Sequence, residues 1–220
     1  MEIAKALETL TIYIVPALLG IILHEVAHGY VAYRHGDPTA KVLGRLTINP
    51  LPHIDPMGLL VFVLTSVSGS FVFGWAKPVP VDTRYFAEPK KAMMLVAFAG
   101  PAMNFVLALC FAFLLWVGLK VVPEQFWLAN QQFLAILFAC KAGIVINLGL
   151  AWLNLIPIPP LDGSKILAFF LSNKQAQIYM SLERYGFLIL LLLLFLGILN
   201  KILTPLVFGC SELILSFINS

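Results

Sequence analysis

The 220-residue chain predicts an all-α membrane protein: a polytopic helix bundle of three core spans plus C-terminal helices, with a small membrane re-entrant β-hairpin. Three observations lead there. Hydrophobic residues make up 60% and charged residues 11%, with a mean hydropathy of +0.94, against about 25% charged in a soluble domain. Several apolar stretches reach the roughly 20 residues a helix needs to cross a bilayer. One apolar stretch is too short to cross and runs into a β-branched, aromatic segment bounded by Gly and Pro. No part is long and polar enough for a separate soluble domain, so residues 1–220 read as one membrane-embedded domain. The formal charge of +3 is small; it suits cytosolic loops and gives no reason to expect nucleic acid. The opening Met1-Glu2-Ile3-Ala4-Lys5 lacks the basic start and cleavage site of a signal peptide. Cys110, Cys140 and Cys210 form no Cys-x-x-Cys pair, so neither a disulfide framework nor a thiolate metal site is expected. All three read as buried structural cysteines.

The first span is expected from about Leu7 to Tyr33, ending at Arg34-His35-Gly36-Asp37-Pro38. The Pro-, Gly-, Asn- and Asp-rich stretch from Gly36 to Pro56 reads as a loop. Met57 to Val67 is apolar but only eleven residues long. With Ser68-Gly69-Ser70 and Phe71-Val72-Phe73 after it, residues 57–81 read as re-entrant: a half-helix, then an extended hairpin through Gly74 to Val81. Charge supports a turn back. Arg34, Lys41 and Arg45 precede the element and Lys77, Arg84, Lys90 and Lys91 follow it, and the positive-inside rule prefers both clusters on the cytosolic side. A second span covers about Ala92 to Leu119, and the link Lys120 to Gln132, with one basic residue, suits the outer side. A third runs from about Phe133 to Leu155 and breaks at Pro157-Ile158-Pro159-Pro160. The following loop carries Lys165, Lys174 and Arg184 and is expected in the cytosol. Gly186 to Leu199 and Ile202 to Phe217 form two short helices or one kinked region around Asn200-Lys201 and Pro205.

One stretch inside the first span carries chemistry: Ile22-Leu23-His24-Glu25-Val26-Ala27-His28-Gly29-Tyr30. On a helix His24 and His28 lie four residues apart, project from one face and can grip a single metal ion. Glu25 can sit beside the metal's open position and take a proton from water. The pattern is short, but its setting gives it weight. Leu10 to Leu23 has no charge at all, and ionisable groups in apolar spans are costly and usually functional. At about 1.5 Å per residue His24 lies roughly 15 Å from the charged end of its helix, well inside a hydrocarbon core of roughly 30 Å.

A catalytic zinc typically takes three protein ligands and a water. Asp162 is the candidate third ligand: it follows a long apolar span, where prolines break the helix and exposed backbone must line a cavity. Equally, Asp162 reads as an N-cap for a helix starting near Ser164. His35 and His53 read as loop hydrogen-bonders, Asn147 as a contact to another helix, and Lys141 has no assigned role. Trp75, Trp116, Trp127 and Trp152 read as interface markers.

Taken together, His24-Glu25-Val26-Ala27-His28, Gly100-Pro101-Ala102-Met103-Asn104 and Asn154-Leu155-Ile156-Pro157-Ile158-Pro159-Pro160-Leu161-Asp162-Gly163 resemble the site-2 protease family of intramembrane metalloproteases. The resemblance covers about Leu10 to Lys165. The segment Gly36 to Pro56, with Phe73-Gly74-Trp75-Ala76-Lys77-Pro78, looks like its compact prokaryotic branch, without PDZ or nucleotide-binding regulatory domains. The chain has Ser164 where the family often has a second Gly. The resemblance implies one Zn²⁺ per chain held by His24, His28 and Asp162, with Glu25 as general base. It implies Asn154 at the substrate backbone or oxyanion and Asn104 as a second polar position, grouped with it as substrate-binding. The implied substrate is a transmembrane protein, the implied home a prokaryotic cell membrane with the site nearer the cytosol, and an accessory membrane protein could select substrates. An extended substrate could add as a strand to the hairpin near Phe71 to Val81, with Pro78 and Pro80 limiting which edge can donate. Two rivals stay in view: an inactive relative that only binds membrane helices, against which Glu25 speaks, and a divalent-metal transporter, against which the missing internal repeat speaks.

Overall fold

The computed structural model describes residues 2–58, 60 and 76–219. Three long helices pack against one another: α1 (Glu2–Arg34), α3 (Pro89–Val121) and α5 (Gln131–Leu155). Between the first two lies the short α2 (Thr39–Val42), and between the last two α4 (Glu124–Ala129). After α5 come α6 (Asp162–Phe170), α7 (Asn173–Met180), α8 (Glu183–Phe195) and α9 (Ile198–Asn219). Helix α6 lies against α3, and α9 against α5 and α3.

Four helical segments are long and apolar enough to cross a membrane: Ile12–Arg34, Pro89–Val121, Gln131–Leu155 and Ile198–Ile218; α7 and α8 together make a further pair, bent by 59°. The protein is a multi-pass helical membrane protein. Its three core spans fall where the sequence predicts them. The C-terminal break does not: it falls at Gly197, whose φ of 69° is open to glycine at little cost. Asn200, Lys201 and Pro205 are all inside α9, so the second C-terminal helix starts earlier than expected and is long enough to span.

In lipid the bundle gains nothing from hiding apolar surface, so helices associate through close packing of small residues. Gly118 accommodates Leu137 and Gly143 accommodates Phe111, each at a distance a Cβ would close to 2.6 Å or less. Between α3, α5 and α9 sits the main apolar cluster, including Ala108, Ala112, Leu115, Ile144, Leu148 and Val207. A smaller one joins Ala32, Phe86, Ala92 and Val96. Along α3, Gly100 and Asn104 fall between these clusters, and the polar centre is built there. Large side chains such as Leu109, Phe113, Ile136 and Phe195 point outward, as lipid-facing positions should. The cysteines depart from expectation: Cys140 is buried, but Cys110 is exposed and Cys210 half-buried, because each lies on a different side of its helix.

No β-strand occurs among the described residues. An isolated antiparallel bridge pairs Ile54 with Ala76, and the Lys77 N–H donates to the His53 carbonyl at 2.8 Å. The expected re-entrant element at about 57–81 lies mostly outside the described residues, which omit 59 and 61–75. Its described end, 76–82, runs without helix across the end of α1.

Candidate metal centre

Helix α1 presents His24 and His28 one turn apart toward α3. Room for two imidazoles comes from Gly100: a Cβ there would lie 2.5 Å from His28 Nε2 and Cε1 and 2.6 Å from His24 Cε1. Both rings are tied on the far nitrogen. His28 Nδ1 is 2.6 Å from the Val96 carbonyl, an acceptor only, so that nitrogen carries the proton. His24 Nδ1 is 2.6 Å from Asn104 Oδ1. Asn104 presents its oxygen because its Nδ2 donates to the Gly20 carbonyl and to Asn147 Oδ1, and Asn147 in turn donates Nδ2 to the Gly143 carbonyl. A carbonyl at the start of this chain thus sets the tautomer of His24 at its end.

With both protons on Nδ1, the two Nε2 atoms are left with lone pairs. They face each other at 2.9 Å, and Asp162 Oδ2 lies 3.1 Å from each. Three acceptors turned on one another in a buried place repel unless a cation lies among them. Zinc bonds of about 2.0–2.1 Å in a tetrahedron set ligand atoms about 3.3–3.4 Å apart, so the cage is a few tenths of an ångström tight but of the right shape. The donor set therefore fits a zinc ion.

Asp162 arrives through a loop at the end of α5 that contains a cis Pro159–Pro160 peptide. Gly163 makes the approach possible: a Cβ there would lie 2.2 Å from the Leu155 carbonyl oxygen. The N-cap of α6 is Leu161, and no side chain caps it. The Asp162 carboxylate turns instead to His24, His28 and the ammonium of Lys165, 3.2 Å from Oδ1. Of the two roles open in the sequence, the cap is absent.

Glu25 is half-buried and its carboxylate lies within 4.8 Å of the histidine donors. Its Oε2 accepts the Val79 N–H at 2.7 Å. Asn104 is fully buried, with its amide used on His24, Gly20 and Asn147, so it touches a histidine rather than an open surface. Asn154 donates to the Leu150 carbonyl one turn back in α5. His53 is buried with Nε2 at the Thr47 carbonyl, His35 is exposed beside Phe86, and Lys141 is exposed. Asn147 meets Asn104 on another helix, as its place in an apolar span suggests; the contributions of Gly100, Lys165 and the Val79 N–H were not anticipated from sequence.

Two histidines, an aspartate and a glutamate meeting inside a multi-pass helical protein make a donor set that suits a membrane-embedded metallopeptidase. Comparison with known proteins makes this specific. The sequence pattern of Peptidase family M50 matches residues 127–197, which include Asn154 and Asp162. "Putative zinc metalloprotease YwhC" of Bacillus subtilis (strain 168) is 36% identical over 196 residues, 87% of this chain and 84% of its own length. "Putative zinc metalloprotease Rip2" of Mycolicibacterium smegmatis is 32% identical over 84% of this chain and 66% of its own length, and that of Mycobacterium tuberculosis (strain H37Rv) 29% identical over 82% and 64%. The chain thus spans just under two thirds of the mycobacterial relatives. No solved structure matches it. The chain belongs to peptidase family M50, the site-2 protease family, and as a member is an intramembrane zinc metalloprotease.

Proposed function

We propose that His24, His28 and Asp162 hold the zinc and that Glu25 is the general base of an endopeptidase cutting within or near transmembrane helices. The observation that carries this is the buried meeting of two imidazole lone pairs and a carboxylate oxygen within 3.1 Å, with both Nδ1 protons committed elsewhere. Bound there, zinc supplies a Lewis acid that polarises a carbonyl and lowers the pKa of water. Glu25 takes the proton of the attacking water and returns it to the leaving amine. Asn154 spends one N–H on Leu150. A primary amide has a second, which serves the substrate backbone or the oxyanion, an effect of about 10²–10³-fold in comparable sites. The burial of Asn104 and its bond to His24 favour an orienting role for it over substrate contact.

A transmembrane helix keeps its carbonyls in internal hydrogen bonds and must unwind before attack. The segment 57–81 is read as the re-entrant hairpin against which an unwound substrate pairs, and the bridge between Ile54 and Ala76 supports a chain that returns to where it left. Both basic clusters would then face the cytosol of a prokaryotic cell, with the site nearer that side.

The test is cleavage of transmembrane-helix reporters by purified protein in lipid, against Glu25→Gln, with zinc counted. Expected is loss of cleavage in the variant with about one zinc retained in both. Cleavage by the variant at the wild-type rate would remove Glu25 as base; absence of zinc from the wild type would remove the ligand assignment.

A further inference from the structure

Residues 76–82 form a strap pinned through its backbone to α1 and the segment that follows it. The Lys77 N–H goes to the His53 carbonyl, the Val79 N–H to Glu25 and the Asp82 N–H to Asp37 Oδ2, the last two at 2.7 Å. The carbonyls of Lys77 and Pro78 accept from Arg45 Nη2 at 2.6 and 3.3 Å. Prolines at 78 and 80 lack an N–H and fix φ. Val79 therefore carries the one donor of that triplet, and spends it on Glu25.

Arg45 is only 6% exposed. Among the described residues no carboxylate lies within ion-pairing distance of it, and its Nε has no partner. Among the described residues this buried guanidinium donates only to backbone carbonyls, a costly placement for a charge, and what it holds is the strap. The helix face beneath is cleared for the purpose. Gly29 lies one turn beyond Glu25 on the same side, and a Cβ there would come within 2.8 Å of Val79 Cγ1 and 2.7 Å of Leu46 Cδ2. Glu25 also needs holding. Residue 25 is about 100° round the helix from His24, so its flexible side chain does not face the metal cage by default. One oxygen fixed by Val79 leaves the other to handle the proton.

We propose that Arg45 is a positioning residue for the general base, acting through the strap to hold the Val79 N–H against Glu25. It rests on the reading of Glu25 as base given above. The experiment compares wild type, Arg45→Ala, Arg45→Lys and Glu25→Gln as full chains in lipid. It measures kcat and KM on a transmembrane-helix reporter, zinc per chain, and hydrogen exchange of the amides between Lys77 and Asp82. For Arg45→Ala the expected result is kcat lower by about 10–100-fold, KM within about twofold, zinc retained, and strap amides exchanging at least about tenfold faster. Arg45→Lys, with one donor direction left, falls between in both rate and exchange. Arg45→Ala cleaving like wild type while Glu25→Gln is dead would overturn the proposal and leave the base assignment standing. Loss of rate without faster exchange, or together with loss of zinc, would also overturn it. A wild type that does not cleave, or Glu25→Gln that cleaves normally, would overturn both.

Discussion

Gly100→Ala should strip the metal centre while leaving the fold. The added Cβ would sit 2.5 Å from His28 Nε2 and 2.6 Å from His24 Cε1, about 0.9 Å short of ordinary contact for the nearer ring. Both rings are fixed, one by the Val96 carbonyl and one by Asn104, each at 2.6 Å. Relief therefore comes by breaking those bonds or by parting α1 from α3 by nearly an ångström, while ligand distances tolerate only about 0.2 Å. Loss of one orienting bond typically costs 10–100-fold in metal affinity. With both histidines displaced we expect about 100-fold or more, roughly 2.7 kcal/mol. Helix propensity acts the other way, since Ala in place of Gly favours a helix by about 1 kcal/mol, so helicity should survive. Gly149→Ala is the matched control, because nothing lies within 4 Å of its Cβ position. Zinc affinity by chelator competition, with far-UV circular dichroism on the same samples, decides it. A folded Gly100→Ala binding zinc within about threefold of wild type would refute the steric reasoning.

Asn104→Ala deprives His24 Nδ1 of its acceptor and leaves Asn147 Oδ1 and the Gly20 carbonyl without their donor. The expected losses are about 10–100-fold in zinc affinity and about 1–3 kcal/mol in stability, read by chelator competition and a thermal melt. Gly163→Ala drives a Cβ against the Leu155 and Ile156 carbonyl oxygens at 2.2 and 2.5 Å. Backbone cannot swing aside like a side chain, so destabilisation at the upper end of about 1–3 kcal/mol, with zinc lost, should follow in the same assays. Single cysteines at Asn49 and Lys91, in a background lacking Cys110, Cys140 and Cys210, should both label from one side of sealed vesicles and Gln125 from the other. Opposite labelling of Asn49 and Lys91 would contradict the return of the chain implied by the Ile54–Ala76 bridge.

Core spans were legible because lipid imposes a simple rule, about 20 apolar residues between charged ends. The bounds of α3 and α5 follow it closely. The C-terminal break was misjudged because Pro205 and the Asn200-Lys201 pair are stronger sequence signals than one glycine. Yet α9 carries Pro205 within it, and the turn is made at Gly197. The stretch carrying Lys165, Lys174 and Arg184 was read as a cytosolic loop because its charges outweigh its periodicity, with only a helix start near Ser164 in view, although α6 and α7 occupy much of it.

At the site the division is chemical. His24, His28, Glu25 and Asp162 stand out because few other side chains can bind a metal or carry a proton, and a hydrocarbon setting makes them conspicuous. What orients them is mostly not side-chain chemistry at all: the Val96 carbonyl, the Val79 N–H, and two glycines whose use is an absent Cβ. Any residue but proline offers that carbonyl and N–H, so no pattern of residue types marks them. The Asn147–Asn104–His24 relay lies between. Two amides in apolar spans are visible as expensive, but only the packing of α1, α3 and α5 reveals that they are in series. In a medium without water every member of such a relay must find its partner inside the protein. The tautomer that frees His24 Nε2 for a metal is thus set by the same bonds that hold three helices together.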